Sequence, residues 1–341
     1  MRKMATIRRI SAILDIQDAD NIQQYVIDGW KVVDQKGKYE VGDMVVFCEI
    51  DSWIPHSIAP FLSKGKTPKE YNSVEGAKLR TIRLRGALSQ GLLLPVLQFD
   101  VLGPCIFSYE CTWVKVVDGQ DVSETLGIQK YEPPIPAQLA GTIKGNFPSF
   151  IPKTGAERVQ NVRKEDMNGV WCVTEKLEGS SMTCYAYDGE FGVCSKNVDL
   201  KRDPNNTFWK TALKYDLENK MLNINKNFAI QGEVIGPGIQ GNIYNLKDYE
   251  FYAFSLYDID NGEYISTEFL KCFCEYIDIK MVPYLMHIWS FFQTSEEWEN
   301  FLEGVLKGEK SRLADTEREG VVFERNGVKI KAISNDYLLG K

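Results

Sequence analysis

Hydrophobic and polar positions alternate in two different ways along the chain. Up to about residue 130, short runs such as "GDMVVFCEI" (42–50) and "LRTIRLRG" (79–86) mix β-formers with charges and stop at Gly, Asp or Pro. That spacing predicts short strands joined by tight turns, and no long amphipathic helix interrupts it. Further on, "TSEEWENFLEGVLKG" sets Trp298, Phe301, Leu302, Val305 and Leu306 at helical spacing, behind a capping box from Thr294 to Glu297 and ahead of Gly308. A helix with one buried face is predicted there. "DPNNTFWKTALKYDLENKML" (203–222) predicts another. The segment 131–153, "YEPPIPAQLAGTIKGNFPSFIPK", holds five of the 13 prolines and little periodicity, as an extended connector does. The expectation is an α+β chain: an OB-like β-barrel over 1–130, a linker over 131–153 and a mixed domain over 154–341.

Composition narrows the function. A chain of 341 residues has room for two domains, and 44% apolar with 26% charged residues describes a globular protein. No apolar run approaches the roughly 20 residues of a membrane span, and the start lacks a signal-peptide core. A cytoplasmic chain without a membrane partner is expected. The eight cysteines form no C-x-x-C pair, so they are expected reduced and buried, with neither a zinc ribbon nor a dithiol redox site. His56 and His287 are the only histidines, which leaves acid-base chemistry to carboxylates and lysines. A net charge of −7 argues against indiscriminate coating of polyanions and is compatible with a local basic groove.

The run "VTEKLEGSSMTCY" (173–185) carries the candidate chemistry. In a strand, Thr174, Lys176 and Glu178 share one face and Val173, Glu175 and Leu177 the other, so Lys176 and Glu178 are expected to act on one ligand. Gly179 leaves space for a ligand or a neighbouring backbone, and Ser180 and Ser181 add small hydroxyls. Alone, such a run is most simply a solvated strand that ends in a turn. Four clusters follow it in order: "IQGEVIGPGIQGN" with Glu233, the aromatic strand "FYAFSLYDI" with Phe254, "REGVVFE" with Glu319, and "VKIKAISNDYLL" with Lys329 and Lys331 on one strand face. "GPGIQG" (236–241) satisfies G-x-G-x-x-G, but no helical periodicity follows it, which excludes a dinucleotide fold.

This ordered set resembles motifs I, III, IIIa, IV and V of the covalent nucleotidyltransferases, specifically the ATP-dependent RNA ligases of duplex-sealing type. The resemblance covers most of 154–341. "TGAERVQN", with Arg158, and "VCSKNVDLK", with Ser195 and Lys196, are similar to the flanking elements, Lys196 standing where arginine is more usual. "VGDMVVFCEIDSWIP" and "RLRGALSQGLLLP" resemble the OB domain that precedes the catalytic domain in one ligase subgroup. The resemblance implies an OB-like barrel followed by an adenylyltransferase domain of antiparallel sheets and helices, ATP-grasp-like in layout. It also implies a reaction for RNA repair. The Lys176 amine attacks the α-phosphorus of ATP to give lysyl-AMP, AMP passes to an RNA 5'-phosphate, and a 3'-hydroxyl displaces AMP.

Residue roles come with it. Glu178, Glu233 and Glu319 would hold Mg2+ or Mn2+, Glu233 alternatively the ribose hydroxyls. Lys329 and Lys331 would meet phosphate, Phe254 would stack on adenine, and Arg158 and Glu175 would complete the ATP site. Ser195, Lys196, Arg83 and Arg85 would face RNA, the partner being 3'-hydroxyl and 5'-phosphate ends in a nicked duplex, and the enzyme a monomer. A free lysine has a pKa of about 10.4. Glu178 is expected to favour its cation, and the metal with Lys329 and Lys331 to oppose that. DNA ligases and capping enzymes typically carry arginine five positions after the lysine and an OB domain after motif V. Ser181 stands at that position here, and only ten residues follow Lys331. A non-catalytic OB-containing nucleic-acid-binding protein is the other reading. Within "KLRTIRLR" (78–85), Lys78 and Arg80 are expected on one strand face and Arg83 and Arg85 on the other.

Overall fold

The computed structural model describes residues 3–96, 117–132 and 141–340. The chain divides into two compact units, Met1–Pro134 and Ile135–Lys341. Much of the expected linker, residues 133–140, lies outside the described residues. Its later part contains the strand Ile143–Asn146, paired with Val198–Leu200 of the second unit. Among the described residues no helix is long and apolar enough to cross a membrane.

The first unit consists of short strands, as its pattern predicts, with a 3-10 turn at Pro60–Ser63. The expected barrel is not formed. Its strands make separate open sheets: Ala5–Arg9 with Met44–Glu49 and Gly91–Pro95, a meander of Ala12–Asp15, Ile22–Ile27 and Trp30–Gln35, a four-stranded sheet around Ser52–Pro55, and the hairpin Ile82–Leu84 with Ala87–Ser89. Closure needs every strand to be paired on both sides, whereas here the chain leaves one sheet for another at sharp bends. Asp51, with φ of 67°, is such a bend, sending the chain from Met44–Glu49 in one sheet to Ser52–Pro55 in another. The α+β class itself holds. A core of Met4, Ile7, Val46, Cys48, Ile54 and Leu94 serves several of these sheets at once.

The basic run is likewise broken. Lys78 ends the strand Val74–Lys78, buried Leu79 donates its N–H to Ser52 O at 2.9 Å, and a new strand starts at Ile82. The four cations therefore do not divide between the faces of one strand. Lys78 pairs with Asp51 at 3.0 Å, while Arg83 and Arg85 stand exposed on the hairpin, Arg85 in its turn with φ of 46°.

Two sheets build the second unit. The larger runs from Ile143–Asn146 through Ser180–Tyr187, Phe228–Ile235 and Glu250–Asp258 to Glu263–Tyr264; the smaller orders Glu157–Arg158, Val328–Ile333, Gly320–Arg325, Gly169–Lys176 and Tyr284–Ser290. Pairing is antiparallel except for Glu157–Arg158 with Val328–Ile333 and Glu250–Asp258 with Lys280–Met281. The helix Ser295–Leu306 has the predicted capping box and covers the smaller sheet, with Leu302 and Leu306 buried against Trp171, Val173 and Phe323. The other predicted helix is two, Thr207–Lys214 and Leu217–Leu222, because Asp216 adopts φ of 52° between them. Thr267–Tyr276 is a further helix, capped by Ser266, that its pattern did not single out.

Candidate active site

Lys176 is the last residue of its strand, and Ser180 begins the next strand in the other sheet. Leu177, Glu178 and Gly179 thus carry the chain across, and the lysine sits at the junction. The crossing is tight. A Cβ on Gly179 would lie 2.5 Å from Val234 O and 2.6 Å from Glu233 Cγ, so only glycine allows the approach. Across the smaller sheet Lys176 pairs with Gly320, where a Cβ would come within 2.0 Å of Ala332 O. Glycine there lets the Glu319 strand lie close beside its neighbour.

Three predicted groups converge on Lys176. Its Nζ lies 2.7 Å from Glu319 Oε2. Burial alone would depress the amine's pKa, but Glu319 and Glu233 outweigh it, so the net direction is upward, with Arg158 acting against them. Arg158 is buried and pairs in register with Lys331. Burial pushes the Glu233 carboxyl up to about 8, Glu319 adding to this while Lys176 and Lys196 oppose it. Lys196 is thereby also placed beside the site. Ser195 ends its strand opposite Met182.

Other expectations are met differently. The strand stops before Glu178, so alternation does not bring its carboxylate to Lys176. Instead Glu178 is buried, with Oε1 accepting from Gly241 N at 2.9 Å and its own N–H donating to Tyr244 Oη at 2.8 Å. Tyr337, on the last helix Asn335–Gly340, also hydrogen-bonds to it. Glu319, rather than Glu178, is what favours the lysine cation. Glu175 points to the opposite face, where Ser311 Oγ (2.5 Å) and Arg312 N (2.8 Å) donate to its carboxylate and tie down the loop before Glu319. Lys331 and Lys329 follow along the same face as Lys176, in register with Val322 and Glu324. Burial lowers Lys329 to about 8, with Glu324 opposing.

Phe254 sits where the pairing of Phe228–Ile235 with Glu250–Asp258 slips, between Gln231↔Ser255 and Gly232↔Ala253. The bulge turns the ring into a cluster with Leu177, Ile235, Tyr244 and Tyr252. "GPGIQG" is a loop, and its last glycine binds Glu178. Tyr244, Tyr337 and Ser311 were not singled out as site residues. Tyr337 lies within the run that carries Lys329 and Lys331, but its bond to Glu178, like those of Tyr244 and Ser311, joins residues more than 60 apart in sequence and is invisible to local pattern.

Among the described residues no three His, Cys, Asp or Glu side chains converge as a metal cage. Glu233 and Glu319 share one electrostatic site with Lys176. Two carboxylates suit Mg2+ or Mn2+, whose remaining positions are usually filled by waters and phosphate oxygens. Glu178, which accepts from the Gly241 N–H and bonds Tyr337, shares the field of Glu319 at that tyrosine.

A lysine at a sheet junction, held by one carboxylate, in the field of a second, with arginine and lysines on the adjoining strands, defines a covalent nucleotidyltransferase. The comparisons narrow this class. A family model described as RNA ligase matches residues 169–333, and one described as an OB-fold domain matches 4–96. A Naegleria gruberi RNA ligase, solved as an apo mutant, is 39% identical, covering 99% of this chain and 97% of that one at a TM-score of 0.85. Structures of that ligase with PPi and, as a mutant, with ATP and Mn are each 38% identical at 0.85, covering 99% and 98% of this chain and 98% of each of those. No curated protein matches. The chain belongs to the RNA ligase family.

Proposed function

We infer that this chain is an ATP-dependent RNA ligase that joins 3'-hydroxyl to 5'-phosphate ends in RNA repair. The observation that carries the reading is the setting of Lys176, whose Nζ is held 2.7 Å from Glu319 within the fields of Glu233 and Arg158. The amine attacks the α-phosphorus of ATP, the bond to pyrophosphate breaks, and a phosphoramidate to AMP forms. The 5'-phosphate oxygen of RNA then displaces the lysine, and the 3'-hydroxyl displaces AMP.

Before attack Lys176 must lose a proton, and its carboxylates hold that proton on. Glu233 and Glu319 would hold the divalent ion, which supplies the positive charge that lowers the amine's pKa and offsets phosphate charge. Arg158 and Lys331, adjacent in register, fit the phosphate oxygens. Phe254 fits a base-stacking role beside Leu177, and Lys196 with Ser195 fits the RNA side of the site. The 5'-phosphate and 3'-hydroxyl are taken from a nicked duplex by a monomer, with Arg83 and Arg85 of the first unit on the RNA backbone. The exposure of both arginines supports that part.

Incubation with α-labelled ATP and Mg2+ or Mn2+ should leave acid-stable label on the protein. Lys176→Ala should carry none, and neither should Lys176→Arg, whose guanidinium stays protonated. Normal labelling of either variant would overturn the assignment.

A further inference from the structure

Lys329 reaches a residue that neither motif nor pattern brought forward. Its ammonium lies over the ring of Tyr264, 4.0 Å from the centroid. Tyr264 belongs to the larger sheet and Lys329 to the smaller, so the contact spans the gap between them. The ring is itself fixed. Its hydroxyl donates to Gln231 Oε1 at 3.2 Å, and Gln231, almost fully buried on the strand that carries Glu233, donates through Nε2 to Pro152 O at 2.8 Å. Tyr257 packs against the ring edge-on. From the other sheet, a Cβ on Gly327 would come within 3.2 Å of Tyr264 Cβ, so the turn after Glu324 is shaped around this residue.

The neighbouring carboxylate is occupied elsewhere. Glu324, in register with Lys329, accepts from Thr267 Oγ1 and from Gly327 N at 2.9 Å. An aromatic face orients a cation without offering it a negative charge, and the hold is weak, so an arriving phosphate can take the ammonium over without first breaking a salt bridge.

We propose that Tyr264 is a positioning residue for the ligase reaction: its ring, fixed through Gln231 to the strand of Glu233, holds the Lys329 ammonium across the gap between the sheets, ready for the phosphates of ATP. The proposal rests on the reading of Lys329 as phosphate-facing. Tyr264 itself touches no reacting atom.

The test measures lysyl-AMP formation by full-length protein over a range of ATP concentrations, with melting temperature in parallel. Tyr264→Leu should lower kcat/KM for ATP about tenfold, the scale of one cation–π contact. Tyr264→Phe, which keeps the ring and its edge-on packing with Tyr257 but loses the bond to Gln231, should restore part of the loss. In the background of Lys329→Ala, Tyr264→Leu should cost almost nothing further, since the group it positions is gone. Losses that multiply in the double variant, or a Phe variant as slow as the Leu variant, would overturn the positioning role and leave the ligase site standing. A normal rate in Lys329→Ala alone would overturn both this role and the phosphate-facing reading of Lys329. Rates that merely follow melting temperature across all variants would reduce Tyr264 to packing.

Discussion

At the residue scale, the resting nucleophile is in the wrong protonation state for its chemistry. Glu319 and Glu233 raise the pKa of Lys176 against the effect of burial. Lysyl-AMP formation should therefore accelerate as pH rises through neutrality, and a pH–rate profile flat from about pH 6 to 9 would contradict this. Glu233 yields a second prediction, on stability. Its carboxyl is raised to about 8, whereas an unfolded glutamate titrates near 4.3. Between those values the folded state binds the extra proton. That contribution is complete below the unfolded pKa and is lost as pH rises through about 8. Glu233→Gln, always neutral, should therefore gain melting temperature over the wild type at about pH 8.5 relative to about pH 5.5, in metal-free buffer. An unchanged difference between the two pH values would place Glu233 in a solvated setting instead.

At the element scale, the site depends on two glycines, Gly179 and Gly320, at close approaches of backbone. Gly320→Ala would force a Cβ to within 2.0 Å of a backbone carbonyl, and neither strand can yield without breaking its ladder. We expect a loss of several kcal/mol, the range of severe core overpacking, read as a large drop in midpoint on denaturant unfolding. A normal midpoint would mean that the two strands part easily. Thr294→Ala tests the other direction. It removes the side chain that caps Ser295–Leu306 and should cost about 1 kcal/mol, with label transfer per folded molecule unchanged, because that helix covers the face of the sheet opposite Lys176. Helices were legible wherever the cap and the apolar stripe agreed, as at Thr294. The helix Thr267–Tyr276 was less so, since its pattern "STEFLKCFCEY" leaves Phe269 and Tyr276 exposed and blurs the stripe.

At the scale of the whole molecule, the two units should divide the work. Arg83 and Arg85 lie in the first unit and Lys176 in the second. Replacing both arginines by alanine in the full chain should spare lysyl-AMP formation, weaken RNA binding, and flatten the slope of log affinity against log salt by about 0.9 per lost phosphate contact on a duplex. Equal losses in both steps with an unchanged slope would make the hairpin a prop for the fold. The order of charged residues, from Lys176 through Glu233 and Glu319 to Lys331, was readable from the sequence through its resemblance to the nucleotidyltransferase motifs, and strand alternation places Lys329 and Lys331 on one face. The division into a strand-rich and a mixed unit was readable too, because periodicity is a local property. What tertiary structure alone decided depends on where strands end and which sheet receives the chain. The strand stops at Lys176, so Glu178 turns to Gly241 and Tyr337 while Glu319 takes the lysine; bends such as Asp51 leave the first unit as open sheets; and Tyr264 meets Lys329 only because two sheets face each other. Local pattern carries no information on such meetings, which are set by the close approach of backbones distant in sequence.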